Sequence, residues 1–167
     1  MYNQYREGWI EVICGCMFAG KTEELIRRIN VLSYARKNIL VFKPKIDDRY
    51  STTEIASHAG SKVPCIVISE AKEILNHVNY DTDVVAIDEV QFFDESLLPI
   101  LDQLILQGKR IIVAGLDLYA SGEPWPIVAK LACKAKYVEK LHAVCVDCGE
   151  EAMYSFRLDS NTKDDIV

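Results

Sequence analysis

Turn-forming residues are scarce: the 167-residue chain holds 8 glycines and 5 prolines, too few for a collagenous or low-complexity polypeptide. Long apolar runs are missing as well. The longest stretch free of charged side chains, Val12 to Gly20, falls well short of the roughly twenty residues a membrane-spanning helix needs, so no membrane partner is expected. Positive charge is in deficit, with 19 Lys and Arg against 25 Asp and Glu and a formal net charge of −6. That field repels a phosphate backbone, and no basic tract with interleaved aromatics offsets it, so nucleic acid is not an expected partner. From Met1 to Glu7, Arg6 and Glu7 stand where a secretory signal has its apolar segment. A cytoplasmic protein is expected, with its 6 cysteines read as thiols and not as a disulfide framework. What is present is a chain 50% apolar and 26% charged, ordinary for a globular domain of this length.

Five short apolar runs recur with helical segments between them: Trp9 to Cys14, Asn38 to Phe42, Val63 to Ile68, Val84 to Asp88 and Arg110 to Gly115. Val84-Val85-Ala86-Ile87 and Ile111-Ile112-Val113-Ala114 are apolar at every position, as in strands covered by helices on both faces. The alternation predicts an α/β fold with a mostly parallel sheet. After Thr22 the period changes. Leu25, Ile29 and Leu32 share one helical face, Glu23 and Glu24 sit in the first turn, and Arg27 and Arg28 lie further on. Leu97 to Leu106 reads as another helix, closed by Gly108. Pro44 to Gly60 and Leu116 to Pro126 read as long surface loops. From Tyr137 onward two strand-like stretches flank Cys145-Val146-Asp147-Cys148-Gly149, which suggests a hairpin closed by a cysteine knuckle. The expected domains are 1–142 for the α/β body and 143–167 for this small subdomain.

Gly15-Cys16-Met17-Phe18-Ala19-Gly20-Lys21-Thr22 fits the phosphate-binding pattern G-x-x-x-x-G-K-[ST] at every fixed position. A strand precedes it and an acidic-started helix follows, so backbone N–H groups and the positive helix end converge where a nucleotide phosphate belongs. Lys21 is expected to reach the β- and γ-phosphates of ATP and Thr22 to join a magnesium shell. The second element is Asp88-Glu89-Val90-Gln91, at the end of a buried strand. Ligands of parallel α/β sheets collect at such carboxyl ends. Asp88 is expected to hold Mg2+, and Glu89, pointing to the other side of the strand end, is free to act as a base; the whole run, with Val90 and Gln91, is assigned to the ATP site. The third element, Cys145-x-x-Cys148, supplies half of a tetrahedral structural Zn2+ site; inert thiols and a redox pair are the other readings. Cys14, Cys16, Cys65 and Cys133 read as small apolar fillers.

Together these motifs resemble the type II (cellular thymidine kinase 1-like) thymidine kinases of bacteria. The resemblance rests on Gly8-Trp9-Ile10-Glu11-Val12-Ile13, Met17 to Thr22, Glu24-Leu25-Ile26-Arg27-Arg28, Val41 to Tyr50, Ser57-His58-x-Gly60, Ile87 to Phe93, Ala114-Gly115-Leu116-Asp117, Gly122-Glu123-Pro124, and Ala143-Val144-Cys145-x-x-Cys148. It implies a P-loop NTPase fold of RecA-like type with a small zinc-ribbon-like hairpin subdomain. The implied activity is transfer of the ATP γ-phosphoryl group to the 5′-hydroxyl of thymidine or deoxyuridine in nucleotide salvage. By the same matching Glu89 is the general base, Lys21 and Arg49 spread the charge of the transferring group, and Asp47 lies near the metal. Met17, Phe92, Leu116 and Tyr119 then line the thymine pocket, Tyr119 standing one position before Ala120, where the family commonly has an aromatic residue. Ser155 and Arg157 reach the nucleoside from the hairpin.

For Phe92 and Leu116 plain core packing is the competing reading. The resemblance also implies a homotetramer with feedback inhibition by the triphosphate end product, dTTP. Family members usually continue beyond the position of Val167 into a lasso-like loop and a second pair of zinc ligands, so the sequence is expected to be a truncated form carrying two of four ligands. The alternative to a kinase is a P-loop ATPase module that hydrolyses or senses ATP for a protein partner, in which Glu89 orients water. A non-catalytic nucleotide-binding scaffold is a third reading.

Overall fold

Apolar residues at every position of a short run need cover on both sides, and the strands built from Val84–Ile87 and Ile111–Ala114 have it: each of these residues is at most 2% exposed. A computed structural model describes residues 7–45, 53–57 and 60–156. Its strands are β1 (Trp9–Gly15), β2 (Ile39–Pro44), β3 (Glu54–Ala56), β4 (Lys62–Pro64), β5 (Ile66–Ile68), β6 (Val84–Ile87), β7 (Arg110–Leu116), β8 (Tyr137–Leu141), β9 (Ala143–Val144) and β10 (Glu151–Ala152). The helices are α1 (Lys21–Tyr34), the single turn α2 (Ile74–His77), α3 (Leu97–Leu106) and α4 (Pro126–Lys134). Among the described residues no helix is long and apolar enough to cross a membrane.

Six strands form one sheet in the order β5-β2-β6-β7-β1-β8, and every pairing within it is parallel. The expected mostly parallel α/β sheet is therefore present. Side-chain alternation along β1 divides the core into two layers. Ile10, Val12 and Cys14 face the cluster that includes Leu97, Leu101, Ile127 and Leu131 of α3 and α4. Ile13 faces the other way, with Leu25, Ile26 and Ile29 of α1. Helices thus cover both faces. One strand, β7, separates β1, which feeds the phosphate loop, from β6, which leads to Asp88. All these strands point their carboxyl ends the same way, so the two motifs emerge on one edge.

Three local expectations change. The run Val63 to Ile68 is broken at Pro64-Cys65: Lys62–Pro64 pairs antiparallel with β3, while Ile66–Ile68 extends the main sheet beside β2. Proline donates no ladder hydrogen bond, which suits the end of a strand. The loop predicted from Pro44 to Gly60 contains β3, whose Ile55 is 2% exposed; its masking by Asp, Ser and Thr hid a buried position. Tyr137–Leu141 is not an arm of the hairpin but the sixth strand of the main sheet, parallel to β1. Its outward residues are solvent-exposed, as on a sheet edge, and the hairpin itself is β9 with β10. Cys14, Cys16 and Cys65 are buried, whereas Cys133, read as a filler, is exposed on α4.

Candidate active site

The phosphate loop leaves β1 at a residue that tolerates no side chain. Gly15 has φ 144°, and a Cβ there would lie 2.1 Å from the Leu141 carbonyl oxygen of β8, so the edge strand packs directly on the loop's first residue. At the far end Gly20 takes the left-handed region, φ 83° and ψ 20°, and caps α1, a conformation that glycine adopts without strain. Its carbonyl accepts the Glu24 N–H at 2.9 Å. Phe18 also has positive φ, 61°, and its ring is exposed. Lys21 is the first residue of α1, and its ammonium donates to the Cys16 carbonyl at 2.7 Å. Burial lowers the Lys21 pKa, against the opposing charges of Glu89, Asp88 and Asp117. The loop therefore folds around its own lysine, at the positive end of a 14-residue helix.

The end of β6 lies against this loop. The Asp88 N–H donates to the Phe42 carbonyl of β2 at 2.9 Å, and its carboxylate accepts the Thr22 hydroxyl at 3.1 Å. Two motifs 66 residues apart in sequence are thus joined through side chains. Asp88 is 6% exposed, and burial, with the negative charge of Glu89 beside it, pushes its pKa up to about 7. The next residue departs from the strand. Glu89 has φ 52° and ψ 40°, a left-handed conformation costing a non-glycine residue on the order of 1 kcal/mol, and its N–H donates to the Asp88 carboxylate at 3.0 Å.

Val90 and Gln91, expected with Asp88 and Glu89 at the ATP site, have buried side chains. Val90 is fully buried in the apolar core. Gln91, 2% exposed, donates its amide N–H to the Glu89 carboxylate at 2.5 Å and accepts the Leu116 N–H of β7 at 3.1 Å. Both lie in a short 3-10 turn, Val90–Phe92.

Beyond Glu89 lies an aromatic group. Phe92 meets Trp125 edge-on at 5.8 Å between ring centroids, and Tyr119 stacks on Trp125 at 3.8 Å with the planes 27° apart. Met17, Phe92 and Tyr119 are half-buried against the same core cluster to which Leu116 and Trp125 belong. Trp125 was missed from sequence; the signal was its place directly after Gly122-Glu123-Pro124, ahead of the Pro126 that opens α4. Its indole N–H is buried and has no hydrogen-bond partner among the described residues. Ser155 stands at the phosphate loop, its hydroxyl accepting the Met17 N–H at 3.0 Å, and the Cys16 thiol donates to the Ala152 carbonyl at 3.2 Å. Asp47, Arg49, His58 and Arg157 lie outside the described residues.

At the hairpin tip, the Cys145 N–H donates to the Glu150 carbonyl and the Gly149 N–H to the Cys145 carbonyl, at 2.8 and 2.9 Å. Backbone N–H groups of Cys148 and Asp147 lower the Cys145 thiol pKa. His142 faces Glu151 at 2.5 Å. Among the described residues no group of three or more His, Cys, Asp or Glu side chains could hold a metal, so the donor set present here is incomplete for tetrahedral zinc.

Comparison with known proteins matches residues 8–167 to the family model described as thymidine kinase. The chain belongs to the thymidine kinase family. A solved structure also resembles this thymidine kinase family member: the RuvB Holliday junction branch migration motor of Thermotoga maritima, at 14% identity and a TM-score of 0.46 over 82% of this chain. The chain spans 39% of that protein's length, and a likeness of that level carries nothing about what this family member binds or does.

Proposed function

We propose that this protein transfers the γ-phosphoryl group of ATP to the 5′-hydroxyl of thymidine or deoxyuridine, as a step of pyrimidine nucleotide salvage, with Glu89 as general base. The observation that carries the reading is the Thr22–Asp88 contact of 3.1 Å, which brings the phosphate loop and the acidic strand end to one spot, with Glu89 next to it on a turned backbone. Family membership supports the substrate class.

The hydroxyl of Thr22 and the carboxylate of Asp88 form a hard-oxygen donor set suited to Mg2+, with Asp47 as the third residue assigned to it. When bound, that ion supplies charge neutralisation on the β- and γ-phosphate oxygens. The protein's own groups do the rest. Amides of Phe18 to Thr22 and the α1 N-terminus cradle the triphosphate, and the Lys21 ammonium turns from the Cys16 carbonyl to the β- and γ-oxygens. The acceptor's 5′-oxygen forms a bond to the γ-phosphorus while the bond from that phosphorus to the β,γ-bridging oxygen breaks. The 5′-hydroxyl proton passes to Glu89, ADP leaves, and Arg49 with Lys21 spreads the charge in transit. Met17, Phe92, Leu116, Tyr119, Ser155 and Arg157 are assigned to the nucleoside, Trp125 joining them through its stack on Tyr119. The same reading includes a cytoplasmic homotetramer, feedback inhibition by dTTP, and zinc held by Cys145 and Cys148 together with ligands from outside the described residues.

Incubation with γ-labelled ATP and Mg2+, with and without thymidine, tests the reading. Label is expected in thymidine monophosphate. Phosphate release independent of thymidine, or ATP binding without turnover, overturns it.

A further inference from the structure

We propose that Gln91 is a positioning residue that fixes the Glu89 carboxylate and decides which of its two oxygens receives the acceptor's proton. The inference rests on Glu89 being the general base and deepens that assignment. Glu89 lies at the end of β6 on a left-handed backbone, so its strand does not by itself hold the side chain in one rotamer. Gln91 does. Its amide is 2% exposed and both of its ends are used: the carbonyl oxygen accepts the Leu116 N–H at 3.1 Å and the NH2 donates to Glu89 Oε2 at 2.5 Å. The orientation of the amide follows from the network. A backbone N–H can only donate, so the oxygen must face Leu116 and the NH2 must face the carboxylate.

A third residue makes the room. A Cβ on Gly115 would stand 2.6 Å from the Gln91 carbonyl oxygen and 2.8 Å from a Val90 methyl, closer than such contacts allow. Gly115 is bare where the Gln91 amide crosses β7. The chain of constraint runs from β7 through Gln91 to Glu89 and ends on one carboxylate oxygen. Oε2, held by Gln91, has one hydrogen bond already; Oε1, with none among the described residues, is left to take the proton of the 5′-hydroxyl. A carboxylate with one oxygen tethered to a buried, doubly bonded amide keeps its free oxygen in a fixed direction, which a proton transfer over hydrogen-bond distance requires.

The test is a double-mutant cycle. Gln91→Met keeps the side-chain length and removes the donor; Gly115→Ala keeps Gln91 and displaces it. Each is expected to lower kcat for thymidine by about 10- to 100-fold, with KM for thymidine and the Kd for ATP, measured without thymidine, changed by less than about threefold. In a Glu89→Gln background Gln91→Met is expected to have no further effect on kcat, because its influence runs through the carboxylate already removed. An unchanged kcat in Gln91→Met, a penalty of equal size in the Glu89→Gln background, or ATP binding lost together with kcat overturns the proposal. If Glu89→Gln itself retains full turnover, the base assignment fails first, and the two failures are thereby told apart.

Discussion

Gly15 shows how one residue sets the site's geometry. Its missing Cβ lets the Leu141 carbonyl approach the start of the phosphate loop, and its positive φ of 144° is open to few L-residues. Gly15→Ala is expected to destabilise the fold by about 2–4 kcal/mol, read as a lowered urea midpoint, and to weaken ATP binding with it. Lys21→Ala removes a charge and the bond to the Cys16 carbonyl. Its ammonium is the side-chain cation of the loop, so ATP affinity and turnover are expected to fall together in titration calorimetry and steady-state assays; unchanged values of both would remove the phosphate-loop assignment. Fixed-position residues of this kind were legible in the sequence because their spacing is set by the loop itself. Trp125, and the tie of Gln91 to Glu89 and Leu116, were not. A buried amide joining Glu89 to Leu116 depends on which strands lie side by side, which no local pattern encodes, whereas the indole stacked on Tyr119 belongs to the same loop and its place after Gly122-Glu123-Pro124 was the signal.

Among elements, the hairpin β9–β10 and the turn before β7 are held by few but specific bonds. The Met17 N–H of the phosphate loop has the Ser155 hydroxyl as its acceptor, at 3.0 Å. Ser155→Ala removes it, and amide hydrogen exchange at Met17 is expected to rise by about two- to tenfold, the equivalent of one hydrogen bond. At the opposite end of the sheet, buried Lys109 donates to the carbonyls of Asn79, Tyr80 and Thr82 at 3.0, 3.0 and 2.6 Å. Lys109→Met leaves the Tyr80 and Thr82 carbonyls without their donor, while the Asn79 carbonyl keeps the Thr82 N–H, with an expected loss of about 2–4 kcal/mol in urea unfolding. Central strands were readable because helices on both faces demand apolar residues throughout. The edge strand Tyr137–Leu141 was misread for the converse reason: with its outer side in solvent it carries the mixed texture of a hairpin arm.

For the whole molecule, acid is the sensitive direction. Hydrogen bonds from Arg27 and Arg28 hold the Glu24 carboxyl down at about 2, against a smaller opposing effect of burial. At Glu11, burial alone would raise the pKa, but hydrogen bonds from Arg110 and Trp9 and the charge of Arg28 outweigh it and the net direction is down. Carboxyls depressed in the folded state add stability above their unfolded values and lose it as pH falls through the folded ones. The contribution of Glu11 and Glu24 to the urea midpoint is therefore expected to be lost between about pH 5 and 2, over the interval from the unfolded Glu range to the Glu24 value, while the raised Asp88 carboxyl acts in the opposite sense and adds stability as pH falls from about 7 toward 5. Replacing Glu24 by Gln should flatten that fall. These pairs tie α1 to β1 and β7, the strands that deliver the phosphate loop and Leu116, so the charge cluster and the site share one scaffold.

The central claim is that a phosphate cradle built on Lys21, Thr22 and Asp88 faces a carboxylate, Glu89, that takes the proton of a nucleoside hydroxyl. Single-turnover transfer of label from γ-labelled ATP to thymidine, compared between the natural protein and Glu89→Gln at saturating ATP, tests it most directly. The account predicts a rate lower by about 10²- to 10⁴-fold in the variant, with the Kd for ATP within about threefold of the natural protein. Equal single-turnover rates in the two proteins would contradict it.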